Sequence, residues 1–433
     1  MARKPTHVPL DVYLNGRLVG QFRREPTGAV NFKYAEAWLA WDSAIPVSLS
    51  LPLREDRYIG APVLAVFDNL LPDNAEIRRM VAERTGAAGT DPYSLLSTIG
   101  RDCVGALQFL PEGSAAPDIA RIESRRLSNA QIADIIANLG RNPLGLGRDD
   151  AFRISIAGAQ EKTALLLPDG KWHLPHGTTP TTHIIKPQLG VLPNGIDMSN
   201  SVENEHYCMV LAAAFGLPVA KTEIHDFAGC RVLAIERFDR LWSRDGRLLR
   251  IPQEDMCQAL SVPPNRKYQS DGGPNSRQVL EILKGSDVPE DDRRTFLKAQ
   301  IFFWLIAATD GHAKNFSVRL SPGGRFRLPP LYDILSTQPA FDAGLFQKKQ
   351  FRLAMSVGKN RHYPMDRILP RHFVQDADTA GLPAGTAEAI FAELHDIGPA
   401  AIKKARATVA KKVPTALMDS IEAALAIRLA QLG

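Results

Sequence analysis

The stretch Ile306-Ala-Ala-Thr-Asp-Gly-His-Ala-Lys-Asn315, followed downstream by Leu331-Tyr-Asp-Ile334, decides how this chain is read. It closes a mostly apolar run, Phe296 to Ala308, that predicts a buried helix or core segment. Asp310-Gly311 is a turn signal. Asn315 stands five residues after Asp310, and the alternating Phe316-Ser-Val-Arg-Leu320 predicts a strand. Asp333 lies eighteen residues beyond Asn315, between apolar neighbours. An aspartate, an asparagine five later and a second aspartate across a short hairpin is the order of a protein-kinase catalytic centre. There the first carboxylate accepts the hydroxyl proton, and the asparagine and second carboxylate hold magnesium. A capped helix followed by a hairpin would give the same pattern, so the rest of the chain has to decide.

Upstream, Phe152 to Leu167 reads strand, small-residue turn, strand, and Ala157-Gly158-Ala159 would let backbone N–H groups approach an anion. No Walker signature is present. Thr182-His-Ile-Ile-Lys-Pro187 is a short strand carrying one lysine, Lys186, which could grip phosphates or snorkel to water. A helix from Val202 to Phe215 follows, stopped by Gly216 and Pro218. Its Glu203 or Glu205 could pair with Lys186; both also suit a helix first turn. Cys230 to Asp239 predicts a buried strand running into a polar segment, with Asp239, Arg240 and Arg244 read as solvated.

At the amino-terminal end, Asn15-Gly16 between alternating runs predicts a β-hairpin. Helices are expected at 62–71, 73–85, 92–99 and 128–139, then at 277–284 and 291–309, and at 386–397, 399–411 and 415–431. Phe67-Asp-Asn-Leu-Leu-Pro-Asp-Asn74 reads as a polar turn between helices with nothing catalytic in it, and 336–364 as a basic loop. The expected units are an amino-terminal α+β module at 1–112, a second at 125–236 bearing the loop and Lys186, and a helical third at 237–433.

Composition narrows the class. The 433 residues are 45% hydrophobic and 23% charged, the balance of a globular protein with a large core. A net charge of +5 permits phosphate-rich partners without demanding them. Four cysteines without C-x-x-C spacing indicate neither a zinc site nor a disulfide framework. No apolar run reaches the ~18 residues of a membrane span, and Met1 to His7 leads into no signal-peptide core, so a cytoplasmic protein is expected.

The constellation is similar to that of the HipA family, the toxin kinases of bacterial type II toxin–antitoxin pairs. The resemblance rests on Ser155-Ile-Ala-Gly-Ala-Gln-Glu-Lys-Thr163, Thr181-Thr-His-Ile-Ile-Lys186, Glu236-Arg-Phe-Asp239, Pro252-Gln-Glu-Asp-Met-Cys-Gln258, Ala308 to Phe316 and Tyr332-Asp-Ile334. It extends to Phe67–Asp73 and Pro370-Arg-His-Phe373, essentially the whole chain. It implies an α+β, eukaryotic-protein-kinase-like two-lobed fold: a β-rich small lobe with an added amino-terminal subdomain, and an all-helical large lobe. By the same resemblance Asp310 is the catalytic base, Asn315 and Asp333 hold Mg2+, and Lys186 contacts the phosphates of ATP. Ala157, Gly158, Ala159, Gln160, Glu161 and Lys162 form the nucleotide loop. Glu236 and Phe238 meet adenine through their backbone, and His312 and Lys314 lie at the nucleotide. Ser155 matches a loop serine whose autophosphorylation ejects the loop and switches such kinases off. The implied partners are a HipB-like helix-turn-helix antitoxin dimer, operator DNA through that complex, and glutamyl-tRNA synthetase as protein substrate. Two readings compete with a serine/threonine kinase toxin: a DNA-bound corepressor with the kinase fold as scaffold, and a small-molecule phosphotransferase.

Overall fold

Asn15 and Gly16 turn the first hairpin at φ of 46° and 80°, the pair of left-handed residues a two-residue turn of this kind needs. The computed structural model describes residues 7–146, 153–158, 160–192, 195–345 and 347–433. Its first sheet has five antiparallel strands in the order Tyr58–Ile59, Val30–Tyr34, Arg17–Arg24, Leu10–Leu14, Leu107–Pro111. Helices Ala61–Asp68, Ala75–Thr85 and Pro92–Ile99 cover it, the last two capped by the Asn74 and Asp91 side chains. Phe67 is the hub of the packing, with the rings of Phe22, Phe32 and Phe109 at 4.7, 5.5 and 5.2 Å. The same apolar core runs on through Ile154, Ile156, Leu165, Ile185 and Val232 of the next unit. The amino-terminal module therefore shares one interior with the sheet that carries Lys186.

That second sheet has four antiparallel strands in the order Thr222–Phe227, Cys230–Glu236, His183–Pro187, Thr163–Leu165. Helix Ser201–Ala214 lies against its first two strands. Beyond Glu236 the chain turns mainly helical. Helix Pro289–Ile306 is the axis of the second core and buries every residue from Phe296 to Ile306. Pro289 opens it and Glu290, Asp291 and Asp292 fill its first turn, favourable at the positive end of the helix dipole. It ends at Ile306 rather than at 309, because Ala307 turns left-handed at φ 55°. The Ala307 carbonyl then accepts the Thr337 amide at 2.9 Å, which fixes where the chain leaves the helix for Asp310.

The large lobe also carries strands. Gln253–Asp255, Ser317–Leu320 and Phe326–Arg327 form a three-stranded sheet, and the expected loop at 336–364 contains helix Gln338–Asp342 and the paired strands Arg352–Val357 and His362–Pro364. Residues 386–409 are one helix, not two: Pro399 lies inside it. Gly398 there packs against Leu429, where an added Cβ would come within 2.3 Å of a side-chain methyl, so the following helix Thr415–Leu429 holds the turn that proline would weaken. Among the described residues, no helix is long and apolar enough to cross a membrane, and all four cysteines are free thiols.

Glu254 joins the two halves, accepting the Leu49 amide at 2.7 Å while 1% exposed. Burial pushes its carboxyl up to about 8, and the Leu49 hydrogen bond opposes that only in part. The folded chain therefore holds a proton between about pH 4.5 and 8 that the unfolded chain releases, and stability declines as pH rises through that window. Glu254→Gln, which keeps an acceptor and cannot ionise, is expected to flatten that decline. Urea unfolding midpoints at pH 5 and pH 8 check it; equal slopes in both proteins would refute it.

Candidate active site

Lys186 is a strand residue whose side chain is only 6% exposed. Its Nζ donates to both carboxylate oxygens of Glu205, at 2.8 and 3.0 Å, and to Asp333 Oδ1 at 2.5 Å. The helix contributes Glu205 and not Glu203, which pairs with Arg231 and accepts from Gln188 at 2.6 Å. Burial disfavours the ammonium, but Asp333 and Glu205 outweigh it and hold Lys186 above an ordinary lysine. Burial likewise opposes the Asp333 charge, and Lys186 and Lys162 overcome that and hold its carboxyl well below the usual range. Asp333 sits at φ 60°, a left-handed position that aspartate tolerates better than most residues. Its side chain stays 42% open to solvent.

Helix Pro289–Ile306 and strand Ser317–Leu320 hold the loop that carries Asp310 between them. Asp310 is exposed, and the Tyr268 hydroxyl donates to its Oδ1 at 2.7 Å. The loop is fastened through backbone: the Asp310 carbonyl accepts the His312 amide at 2.7 Å and Asn315 Nδ2 at 2.8 Å. Gly311 packs on the Phe303 ring, 2.5 Å from where a Cβ would stand, so no larger residue fits beside Asp310 without moving the loop. His312 is buried edge-on to Tyr268, burial lowers its pKa, and its Nδ1 has no hydrogen-bond partner among the described residues. Asn315 is 4% exposed, and no hydrogen bond to its Oδ1 is seen among the described residues.

The nucleotide-loop residues fall on a tight turn closed from inside. Gly158 has φ 110°, and a Cβ there would meet Lys162 Nζ at 2.5 Å. Lys162 donates to the Ala157 carbonyl at 2.9 Å, and burial, then Lys186, lowers it to about 8. Gln160 donates to the Pro187 carbonyl at 3.1 Å, and Glu161 is exposed. Ala159 lies outside the described residues. Ser155 is fully buried, its hydroxyl donating to the Leu70 carbonyl at 2.7 Å. Glu236 ends its strand exposed, and Phe238 leans on Tyr332 at 5.7 Å.

The ammonium of Lys314, 4% exposed, binds Asp73 Oδ1 at 2.8 Å and the Asn69 carbonyl at 3.3 Å. One sequence expectation is corrected. Asp239 and Arg240, read as solvated, are buried in a network with Asp102, Arg237 and Arg250. Sequence reading also missed Asp73 and Tyr268. The only signal for Asp73 was its place in the Phe67–Asp73 run.

The site combines a buried lysine between two carboxylates, an exposed aspartate on a backbone-fastened loop, and the oxygens of Asn315 and Asp333. These oxygens are the hard donors magnesium takes alongside phosphate oxygens. Among the described residues no group of three or more His, Cys, Asp or Glu forms a metal cage. On this mixed α+β framework, the fold is kinase-like.

The family follows from comparison with known proteins. Residues 10–110 match the HipA N-terminal domain and 154–402 the HipA-like C-terminal domain. The chain belongs to the HipA family of kinases. The protein named "Putative kinase Y4mE" of Sinorhizobium fredii is 36% identical over 412 residues, 92% of this chain and 94% of that protein. The serine/threonine-protein kinase toxin HipA of Shewanella oneidensis is 26% identical over 388 residues, 86% of this chain and 84% of that one. A solved structure of the Shewanella oneidensis HipA, HipB and operator DNA complex superposes with a TM-score of 0.80 at 23% identity, covering 97% of this chain and 96% of that one.

Proposed function

We propose that the chain is an ATP-dependent serine/threonine protein kinase that acts as a growth-arrest toxin. The observation that carries this is the Lys186–Glu205 pair closed onto Asp333, since a kinase transfers phosphate only with its lysine–glutamate pair and metal aspartate both in place. Asp310 is the base that takes the proton from the substrate hydroxyl. That oxygen forms the new bond to the γ-phosphorus, the bond to the bridging oxygen breaks, and ADP leaves. Asn315 and Asp333 would hold Mg2+, whose charge would offset that spreading over the phosphates. Lys186 orients the phosphates, and the turn around Gly158 and Lys162 covers them. The Glu236–Phe238 backbone receives adenine, and His312 borders the pocket. Lys314 is reassigned from nucleotide contact to loop anchor.

Ser155 is the proposed autophosphorylation site. Its hydroxyl is buried, so it accepts phosphate only when its loop leaves the fold, and a phosphate of about −2 charge could not return to the Leu70 carbonyl. The units are taken as 1–112, 125–236 and 237–433. By kinship with the HipA–HipB–DNA assembly, the partner is a HipB-like antitoxin dimer with which the chain represses its operon, and the family's glutamyl-tRNA synthetase is the first substrate to try.

Intact-mass spectrometry with peptide mapping tests this. After incubation with Mg-ATP, unphosphorylated wild type is expected to gain one phosphate on Ser155. Lys186→Met, which leaves Lys162 alone to offset the Glu205 and Asp333 charges, should gain none. Absence of phosphate in wild type would favour a corepressor scaffold, and transfer to a metabolite rather than protein would favour a small-molecule phosphotransferase.

A further inference from the structure

We propose that Asp73, in the amino-terminal module, is a positioning residue for phosphate transfer, one carboxylate that sets both the catalytic base and the asparagine across from it. The inference rests on the kinase reading above. Asp73 Oδ2 binds Lys267 Nζ at 2.9 Å, and Asp73 Oδ1 binds Lys314 Nζ at 2.8 Å. Each lysine is followed by a residue of the centre. After Lys267 comes Tyr268, whose hydroxyl donates to Asp310 at 2.7 Å. After Lys314 comes Asn315, whose amide donates to the Asp310 carbonyl at 2.8 Å. The Ala313 amide also donates to the Lys267 carbonyl at 3.4 Å, joining the two segments directly.

The electrostatics agree with a fixed joint. Asp73 is 11% exposed at its side chain. Burial opposes its charge, but Lys314 and Lys267 overcome that and hold its carboxyl at about 2. A carboxylate gripped by two ammonium groups in partial burial has little freedom to swing, unlike an exposed surface pair. The same segment also seats the nucleotide loop. The Asp73 amide donates to the Gly158 carbonyl at 3.1 Å, Pro72 bridges Gly158, and Leu70 receives Ser155 Oγ. Leu70–Asp73 thus touches both loops, and release of the nucleotide loop would loosen the anchor of the catalytic one.

A misplacement of about 1 Å at a reacting group can cost ~10²-fold in rate. Asp73→Asn is therefore expected to lower the rate of ADP formation at saturating Mg-ATP by up to ~10²-fold while leaving KM for ATP little changed, since Lys186 and Asp333 are not touched. Loss of the carboxylate also leaves Lys314 only the Asn69 carbonyl at 3.3 Å and the more distant Asp255 carboxylate at 4.0 Å. A second variant, Asp73→Asn with Lys314→Met, removes that charge too, and its rate should stay low while its melting temperature recovers. Tyr268→Phe and Lys267→Met should each lower the rate, and the double variant should be no slower than the slower single, because both act along one path. Recovery of rate in the Asp73/Lys314 pair, or additive losses for Lys267 and Tyr268, would overturn the proposal. So would Asp73→Asn at wild-type rate in a preparation whose wild type turns over ATP. A wild type that forms no ADP would overturn the kinase reading itself, and this inference with it.

Discussion

Asp310→Asn is expected to cut phosphate incorporation by about 10²–10⁴-fold, the range that removal of a general base produces. The fold should survive. Asp310 makes its structural bonds through its carbonyl, which holds the His312 amide and Asn315 Nδ2. Its side chain is exposed and bonded to Tyr268. An asparagine at that position keeps the carbonyl, keeps an oxygen for the Tyr268 hydroxyl, and loses only the capacity to take a proton. The melting temperature and affinity for an ATP analogue should therefore match wild type while a mass-spectrometric time course shows transfer lost. Transfer at the wild-type rate would mean that Asp310 is not the base. A lost fold would mean that its side chain bears structure, which the geometry does not show.

The candidate site was legible in the sequence where its parts are local. Asp310 and Asn315 are five residues apart on one loop, Asn15-Gly16 encodes its own turn, and the stop after Phe215 is written in Gly216 and Pro218. What could not be read is pairing across the chain. Asp73 meets Lys267 and Lys314 at separations of 194 and 241 residues, and its place in the Phe67–Asp73 run does not say what it binds. Glu203 and Glu205 are both buried, yet two positions on a helix differ by about 200° in direction, so only the placement of the sheet decides which meets Lys186. The break expected between 397 and 399 does not occur, because tertiary packing of Gly398 on Leu429 outweighs the one hydrogen bond that Pro399 forgoes. Asp239 and Arg240 failed as surface residues for a related reason: a run of charges looks solvated until distant partners, the Asp102 carboxylate and the Gly105 amide, fold over it.

Those counter-charges set the largest stability effect expected in the molecule, from Asp102→Asn. Asp102 Oδ1 accepts from Arg240 at 2.8 Å and Arg250 at 3.1 Å. Its Oδ2 accepts from Arg237 at 3.3 Å and from the Thr181 amide and hydroxyl at 3.0 and 2.7 Å. All four charged side chains are 1–2% exposed. Burial opposes the carboxylate, and the three guanidiniums overcome it and hold Asp102 well below the usual range. Asp239 is the second acid, bound to Arg237 at 2.7 Å and Arg240 at 3.0 Å. With Asp102 neutral, three buried cations would face one carboxylate. Breaking a buried pair in this way costs about 3–5 kcal/mol, mostly for the charge left behind. The network joins the loop after Pro92–Ile99 to the segment that follows Glu236, so the two halves should loosen together in a urea titration. Added salt should not rescue the variant, because buried charges are screened far less than surface ones. Glu83→Gln, which breaks the exposed pair with Arg79, is the control and should cost under about 1 kcal/mol. If Asp102→Asn cost no more than that control, the arginines would have to be satisfied by Asp239 and backbone carbonyls alone. Cys103 and Gly105 supply such carbonyls, but a carbonyl dipole does not balance a net charge.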